Sequence, residues 1–289
     1  MTDDPFSRHR RLLFTVAYEM LGSASDAEDV VQETWLRWSK VDQAEVRDPR
    51  AYLVRIVTRQ ALNRLRTLAR RREDYVGEWL PEPVLTGPDV AADVELAESL
   101  SLAMLTVLET LGPAERAVFV LREVFDVPYD EIAEAIDKSP AAVRQIAHRA
   151  REHVAARRPR MEVSPTEQQE VVERLLTAVR GGDLQGLLEV LAPDVVLVAD
   201  GGGLVTAAPR PVVGADRVAR FLMGASRLEG IEASPAWING GPGARIDVAG
   251  ELDTAIGVAV ADGRITGLYA IRNPNKLAGL DDVAALTRS

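Results

Sequence analysis

Cysteine is absent from the 289 residues, which excludes a disulfide framework, a thiolate metal site and a cysteine nucleophile together and fits a reducing, cytosolic setting. Histidine is limited to His9, His148 and His153, so nothing beyond residue 153 offers an imidazole for acid–base work or metal ligation. No stretch reaches the roughly 18 uninterrupted apolar residues of a membrane span, and the opening MTDDPFSRHRRLLF lacks a basic segment followed by a sustained apolar one. A soluble protein with no membrane partner is expected. Between Glu73 and Glu98 there is no lysine or arginine at all, against eight acidic residues.

What is present is charge sorted into blocks. A net charge of −10 argues at first against nucleic acid, but residues 47–72 hold nine arginines and one aspartate, net +8, and residues 144–160 six arginines and one glutamate, net +5. So many arginines beside one acid repel one another unless an anionic partner offsets them. The acidic run between the blocks reads as a solvated linker, and its three prolines and two glycines over DYVGEWLPEPVLTGPD predict an extended one.

The length allows two or three domains. Helical spacing predicts a first helix from Pro5 to Leu21, stopped by Gly22, and a second opened by a capping box at Ser25-Asp26-Ala27-Glu28. The second helix should bury Ala27, Val30, Val31, Thr34, Trp35 and Trp38, leaving Asp29, Gln32, Glu33 and Arg37 outside. A third helix runs from Asp48-Pro49 to about Leu68, with Arg55, Arg59 and Asn63 four residues apart on one face and Arg64, Arg66 and Arg70 to Arg72 adding cations. That face can track a single strand or splayed bases. Helices follow over 98–111 and 114–125, separated by Gly112-Pro113. From residue 164 two helices, a strand over 194–199, a helix over 216–224 and four more strands predict an α+β unit, with an Asp262-Gly263 hairpin turn.

Residues 128–151, PYDEIAEAIDKSPAAVRQIAHRAR, carry the sharpest pattern. Ile132, Ala133 and Ile136 form one buried face, Ser139-Pro140 is a helix start, and Val143, Ile146, Ala147 and Ala150 form the inner face of a second helix. Arg144, Gln145, His148, Arg149 and Arg151 are left outward, where they can donate to phosphates and base edges in a major groove. An ordinary helical hairpin with a solvated basic face has the same spacing.

Together with DAEDVVQETWLRW at 26–38 and DPRAYLVRIVTRQALNRLR at 48–66, this stretch resembles bacterial sigma factors of the extracytoplasmic-function (ECF) group, the initiation subunits of RNA polymerase. The C-terminal half resembles a SnoaL-like domain of the cone fold, a fusion found in one subgroup and marked by a DGGGK-type and an NPxKL-type motif. Here these are Asp200-Gly201-Gly202-Gly203, with Leu204 in place of lysine, and Asn273-Pro274-Asn275-Lys276-Leu277.

The resemblance implies a multidomain chain: two all-α sigma domains over 1–72 and 99–160, the second with the helix-turn-helix, an acidic linker over 73–98 threading the polymerase, and an α+β SnoaL-like cone domain over 164–289. It implies that Asp29, Gln32, Glu33 and Arg37 meet the clamp helices of the polymerase β′ subunit, with the β subunit as a further partner. Arg55, Arg59, Asn63, Arg64 and Arg66 would contact the −10 promoter element, with a base flipped toward the 39–47 loop. Ser139, Arg144, Gln145, His148, Arg149 and Arg151 would read the −35 element. The cone domain would dock on the sigma core and regulate it through the two motifs.

SnoaL-like folds also include enzymes, for which Asp200, Asp247, Glu251 and Asp253 are the available acids, none at a spacing that pairs them. Asp200 before three glycines reads as a loop needing positive backbone angles or close approach. No catalysis and no metal, nucleotide or covalent cofactor are expected; a small ligand in the cone pocket stays open. The rival is a one-component regulator whose helix-turn-helix binds an operator while the C-terminal domain senses a ligand; it leaves residues 48–72 without a task.

Overall fold

A computed structural model describes residues 4–72, 75–157, 164–225 and 230–288, with the side chains of 69–72 outside the description. The helical part runs α1 (Pro5–Leu21), α2 (Ala24–Trp38), a 3₁₀ turn (Gln43–Glu45), α3 (Pro49–Arg72), α4 (Pro88–Ala92), α5 (Val94–Leu100), α6 (Leu102–Leu108), α7 (Pro113–Phe119), a π-helical turn (Val120–Val124), α8 (Tyr129–Ile136) and α9 (Pro140–Ala155). Then follow α10 (Pro165–Gly181), α11 (Leu184–Val190), β1 (Leu191–Asp200), β2 (Val212–Val213), α12 (Ala215–Ala225), β3 (Ile231–Ile238), β4 (Gly241–Val248), β5 (Glu251–Ala261), β6 (Arg264–Ile271) and α13 (Pro274–Leu277). Two compact units result: one of Met1–Glu73, Val107–Arg158 and Ala285–Ser289, the other of Asp74–Thr106 and Pro159–Ala284.

In the first unit the chain reverses at Gly22, whose φ of 67° suits a residue without a side chain. The cap of α2 is Ser23, whose Oγ accepts the Asp26 N–H at 3.2 Å, and not Ser25 as its box pattern predicts. The extended backbone that capping needs follows immediately on the Gly22 turn, two residues earlier than the box would put it. Ala27, Val30, Val31, Thr34 and Trp38 are buried as expected, but Trp35 is 46% exposed, since the next-door Thr34 already occupies the inward direction. Trp38 is anchored at both ends: its indole N–H donates to Asp4 (3.2 Å) and its ring leans on Tyr52. The helix expected over 114–125 is α-helical only to Phe119, after which the Phe125 N–H reaches back to Val120 O, a five-residue step. The helix-turn-helix falls where its pattern puts it, with Asp137 in the left-handed conformation (φ 56°) turning the chain.

The second unit is a six-stranded sheet in the order β2-β1-β6-β5-β4-β3, with β1 parallel to β6 and every other pairing antiparallel. The two-residue β2 was not foreseen, and β1 is longer than expected, ending on Asp200 itself. Asp262-Gly263 makes the β5–β6 hairpin with both residues at positive φ. Apolar side chains of α10, α11 and α12 fill one face of the sheet, around Val172, Leu176, Leu187 and Leu268. The other face is covered by Leu80, Leu102, Leu277 and Leu280. The segment expected to be an extended linker is therefore part of this unit: it carries α4 and α5, and Leu80 and Val84 are buried. Its apolar residues, few and irregularly spaced, find a sheet face that only the tertiary fold supplies.

Candidate nucleic-acid interface

On α9, Val143, Ile146, Ala147 and Ala150 are buried, and Arg144, Gln145, His148, Arg149 and Arg151 are exposed, as the spacing predicts. Ser139 serves as the cap, accepting the Ala142 N–H at 3.2 Å. Its replacement by alanine should lower stability by about 1 kcal/mol in urea denaturation. His148 lies 3.6 Å from Glu152, and Arg151 pairs with Glu123 at 3.2 Å.

The α3 face is engaged within its own unit. Arg59 donates to the carbonyl oxygens of Glu134 (2.7 Å) and Ala135 (3.2 Å), and Arg55 pairs with the Glu134 carboxylate at 3.1 Å. The last carbonyls of a helix lack intrahelical partners and carry partial negative charge, so Arg59 at the end of α8 satisfies both. Arg64, expected from the resemblance at the −10 element, is tied to Asp26 (2.7 Å), with Asp29 at 3.5 Å. Asp26 lies in the first turn of α2, across from α3, a proximity that spacing along one helix cannot reveal. Asn63 is exposed and accepts from Arg66. The 39–47 loop and α3 border a groove of 440 Å³ lined by Asp42, Arg47, Tyr52 and Arg55, and from α8 by Glu131 and Glu134. The side chains of Arg70 to Arg72 lie outside the description.

A second contact joins α1 to α7. Arg116, 1% exposed, donates to the Glu19 carbonyl (3.0 Å) and to the Glu109 carboxylate (2.6 Å). Burial pushes its guanidinium down to about 9, against the pull of Glu19 and Tyr18, so it remains a cation at neutral pH.

On α2, Asp29, Gln32, Glu33 and Arg37 are all exposed, and Glu33 accepts from Gln60 at 2.9 Å. Trp35 and Leu36, both close to half exposed, lie on the same helix surface; reading the tryptophan as core hid them.

The family model described as Sigma-70 region 2 matches residues 6–71, and the one described as Sigma-70, region 4 matches residues 101–154. The ECF RNA polymerase sigma factor SigJ of Mycobacterium tuberculosis is 40% identical over 95% of this chain and 92% of its own. This chain belongs to the ECF RNA polymerase sigma factors. The probable ECF sigma factor SigI of the same organism is 33% identical over 93% of this chain and 92% of its own. The crystal structure of the M. tuberculosis SigJ superposes with a TM-score of 0.78 at 38% identity, over 96% of this chain and 98% of that one. The all-helical sigma regions and the α+β C-terminal domain are thus those that the motifs implied, and region 2 is α1–α3, region 4 α6–α9.

The two C-terminal motifs of the sigma factor meet. Asp200 is fully buried, and its carboxylate accepts from Lys276 Nζ (2.7 Å), the Leu80 N–H (2.9 Å) and the Tyr75 hydroxyl. Lys276, 7% exposed, also donates to the Leu80 carbonyl and sits 3.3 Å from the centroid of the Trp79 ring. Asn273 caps α13 by accepting the Asn275 N–H, and its amide donates to the Tyr75 hydroxyl at 2.9 Å. Pro274 fills the first helical position and Leu277 joins the core under the sheet. Gly202 and Gly203 take positive φ (61° and 71°), and a Cβ on Gly202 would run into the Asn273 amide. At Gly201 a Cβ would meet the Val205 carbonyl, while Leu204 is exposed and takes no part.

Tyr75 and Trp79 were missed by sequence reasoning; the signal was an aromatic pair inside an otherwise acidic run. The remaining acids are paired for structure: Asp247 with Arg245 (2.9 Å) and Asp253 with Arg272 (2.7 Å), while Glu251 is exposed at the β4–β5 turn. Burial raises the Asp253 carboxyl, but hydrogen bonds from Arg272 and Thr254 outweigh it and hold the group below its ordinary value, the opposite of a general acid.

Proposed function

We propose that this ECF sigma factor directs initiation by reading a −10 element with Arg55, Arg59, Asn63 and Arg66 on α3 and a −35 element with α9, and that its C-terminal domain regulates this by holding the linker. The observation that carries the regulatory reading is the Asp200–Lys276 pair closed over Leu80, because a linker pinned to a sheet is not available to thread a polymerase. The ties from α3 to α8 support the same view: Arg59 is already satisfied by helix carbonyls and Arg55 by the Glu134 carboxylate, so promoter engagement exchanges these acceptors for phosphates. The last residues of the chain add a third tie, the Thr287 N–H donating to Thr15 on α1 at 3.0 Å. Asp29, Gln32, Glu33 and Arg37 would meet the β′ clamp helices.

In vitro transcription with purified core polymerase tests this. Deleting residues 273–289, or replacing Lys276 with methionine, should change promoter-dependent output; identical output at every promoter would sink the regulatory role. Asn63→Ala should impair promoter melting, read by permanganate reactivity, more than binding, whereas Arg149→Ala should weaken capture of the duplex. Normal melting by Asn63→Ala would remove the role given to that residue.

A further inference from the structure

Tyr129 opens α8 and gathers arginines from three places in the chain. The Arg122 guanidinium, on the π-helical turn, lies 5.1 Å from the centroid of its ring, and that of Arg144, in the second turn of α9, lies 5.7 Å away. The Arg151 guanidinium, two turns further along α9, is held above its ordinary pKa by the Tyr129 hydroxyl and by Glu123. The three cations do not have equal freedom. Arg122 is paired with Asp126 (2.9 Å) and Arg151 with Glu123 (3.2 Å), whereas Arg144 pairs with no carboxylate among the described residues. The ring therefore restrains the guanidinium whose donor fork is uncommitted. An exposed arginine otherwise spreads over many rotamers and loses that freedom on binding; a cation held at an aromatic face has lost part of it beforehand.

We propose that Tyr129 is a positioning residue for duplex recognition, holding Arg144 ready to bond the two acceptors of a guanine edge, so that base preference at one position of the upstream element depends on a side chain acting through Arg144. This rests on the reading of α9 as the recognition helix. A guanidinium matches the O6 and N7 acceptors of guanine in the major groove, and such a bidentate contact discriminates only while the fork stays aligned.

The test uses holoenzyme formed from the full chain and core polymerase, selecting from promoter duplexes with a randomised upstream element. Arg144→Ala should erase a guanine preference at one position. Tyr129→Leu should weaken the preference at that same position about 2–5-fold, and Tyr129→Phe, which keeps the ring, should retain it. If Arg144→Ala changes the profile but Tyr129→Leu does not, the positioning role is overturned and the recognition helix stands. No effect of Arg144→Ala would overturn the recognition reading itself. An even loss of preference at all positions in Tyr129→Leu would mark a merely structural residue. Where leucine lowers the unfolding midpoint, Tyr129→Met replaces it with the same criteria.

Discussion

Replacing Asp200 with alanine is expected to destabilise the C-terminal unit by about 3–5 kcal/mol and to free residues 75–106 for amide hydrogen exchange. The carboxylate is fully buried and collects four donors, one of them the Lys276 ammonium at 2.7 Å. Alanine leaves that ammonium under the sheet without its carboxylate, and an uncompensated buried charge costs more than the pair itself contributed. Calorimetry should register a fall of the midpoint on the order of 10 °C for a unit of this size. An Asp200→Asn/Lys276→Met pair should recover much of the loss, because it removes both charges together. A midpoint within about 1–2 °C of wild type for Asp200→Ala would show that the pair does not hold the linker. The latch also has an alkaline limit. Burial and the bond to Asp200 raise the Tyr75 phenol above its ordinary value of 10.0, so what it contributes is fully present below that pH and is lost as the pH climbs through the raised folded value. Tyr75→Phe should remove that part of the pH dependence.

Arg116→Ala should cost a comparable amount, about 3–5 kcal/mol, in the helical unit. The side chain is 1% exposed and ties α7 both to the backbone at the end of α1 and to Glu109 at 2.6 Å. Its loss takes away the cation facing Glu109 and a donor to the Glu19 carbonyl, and leaves a cavity the size of a guanidinium. Urea denaturation followed by tryptophan fluorescence measures this, and a stability change below about 1 kcal/mol would mean that region 2 and region 4 do not rely on the charge. Glu109→Gln with Arg116→Met should be far milder, since exchanging a buried ionic set for an apolar one of similar volume is often neutral.

Most of the local structure was legible in the sequence. Gly22, Ser139-Pro140, Gly112-Pro113 and Asp262-Gly263 are backbone signals whose physics is contained within a few residues, and each falls where it was read. The buried face of α9 follows from a period of 3.6 residues in the same way. Errors arose where the deciding partner was remote. The pairing of Arg64 with Asp26 was not foreseen, and Trp35 looked like core because no local signal separates a buried from an exposed tryptophan.

By itself the sequence determined that the chain has two helical regions and an α+β domain, with a basic second helix in the helix-turn-helix and a separate basic α3, because helix caps, turn residues and hydrophobic periods act over single turns of chain. The tertiary structure alone decided what the acidic linker does. Tyr75, Trp79 and Leu80 lie at least 120 positions from Asp200 and more than 190 from Lys276. Only a folded sheet brings them within hydrogen-bond reach, and no pattern along the chain encodes a distance of that kind.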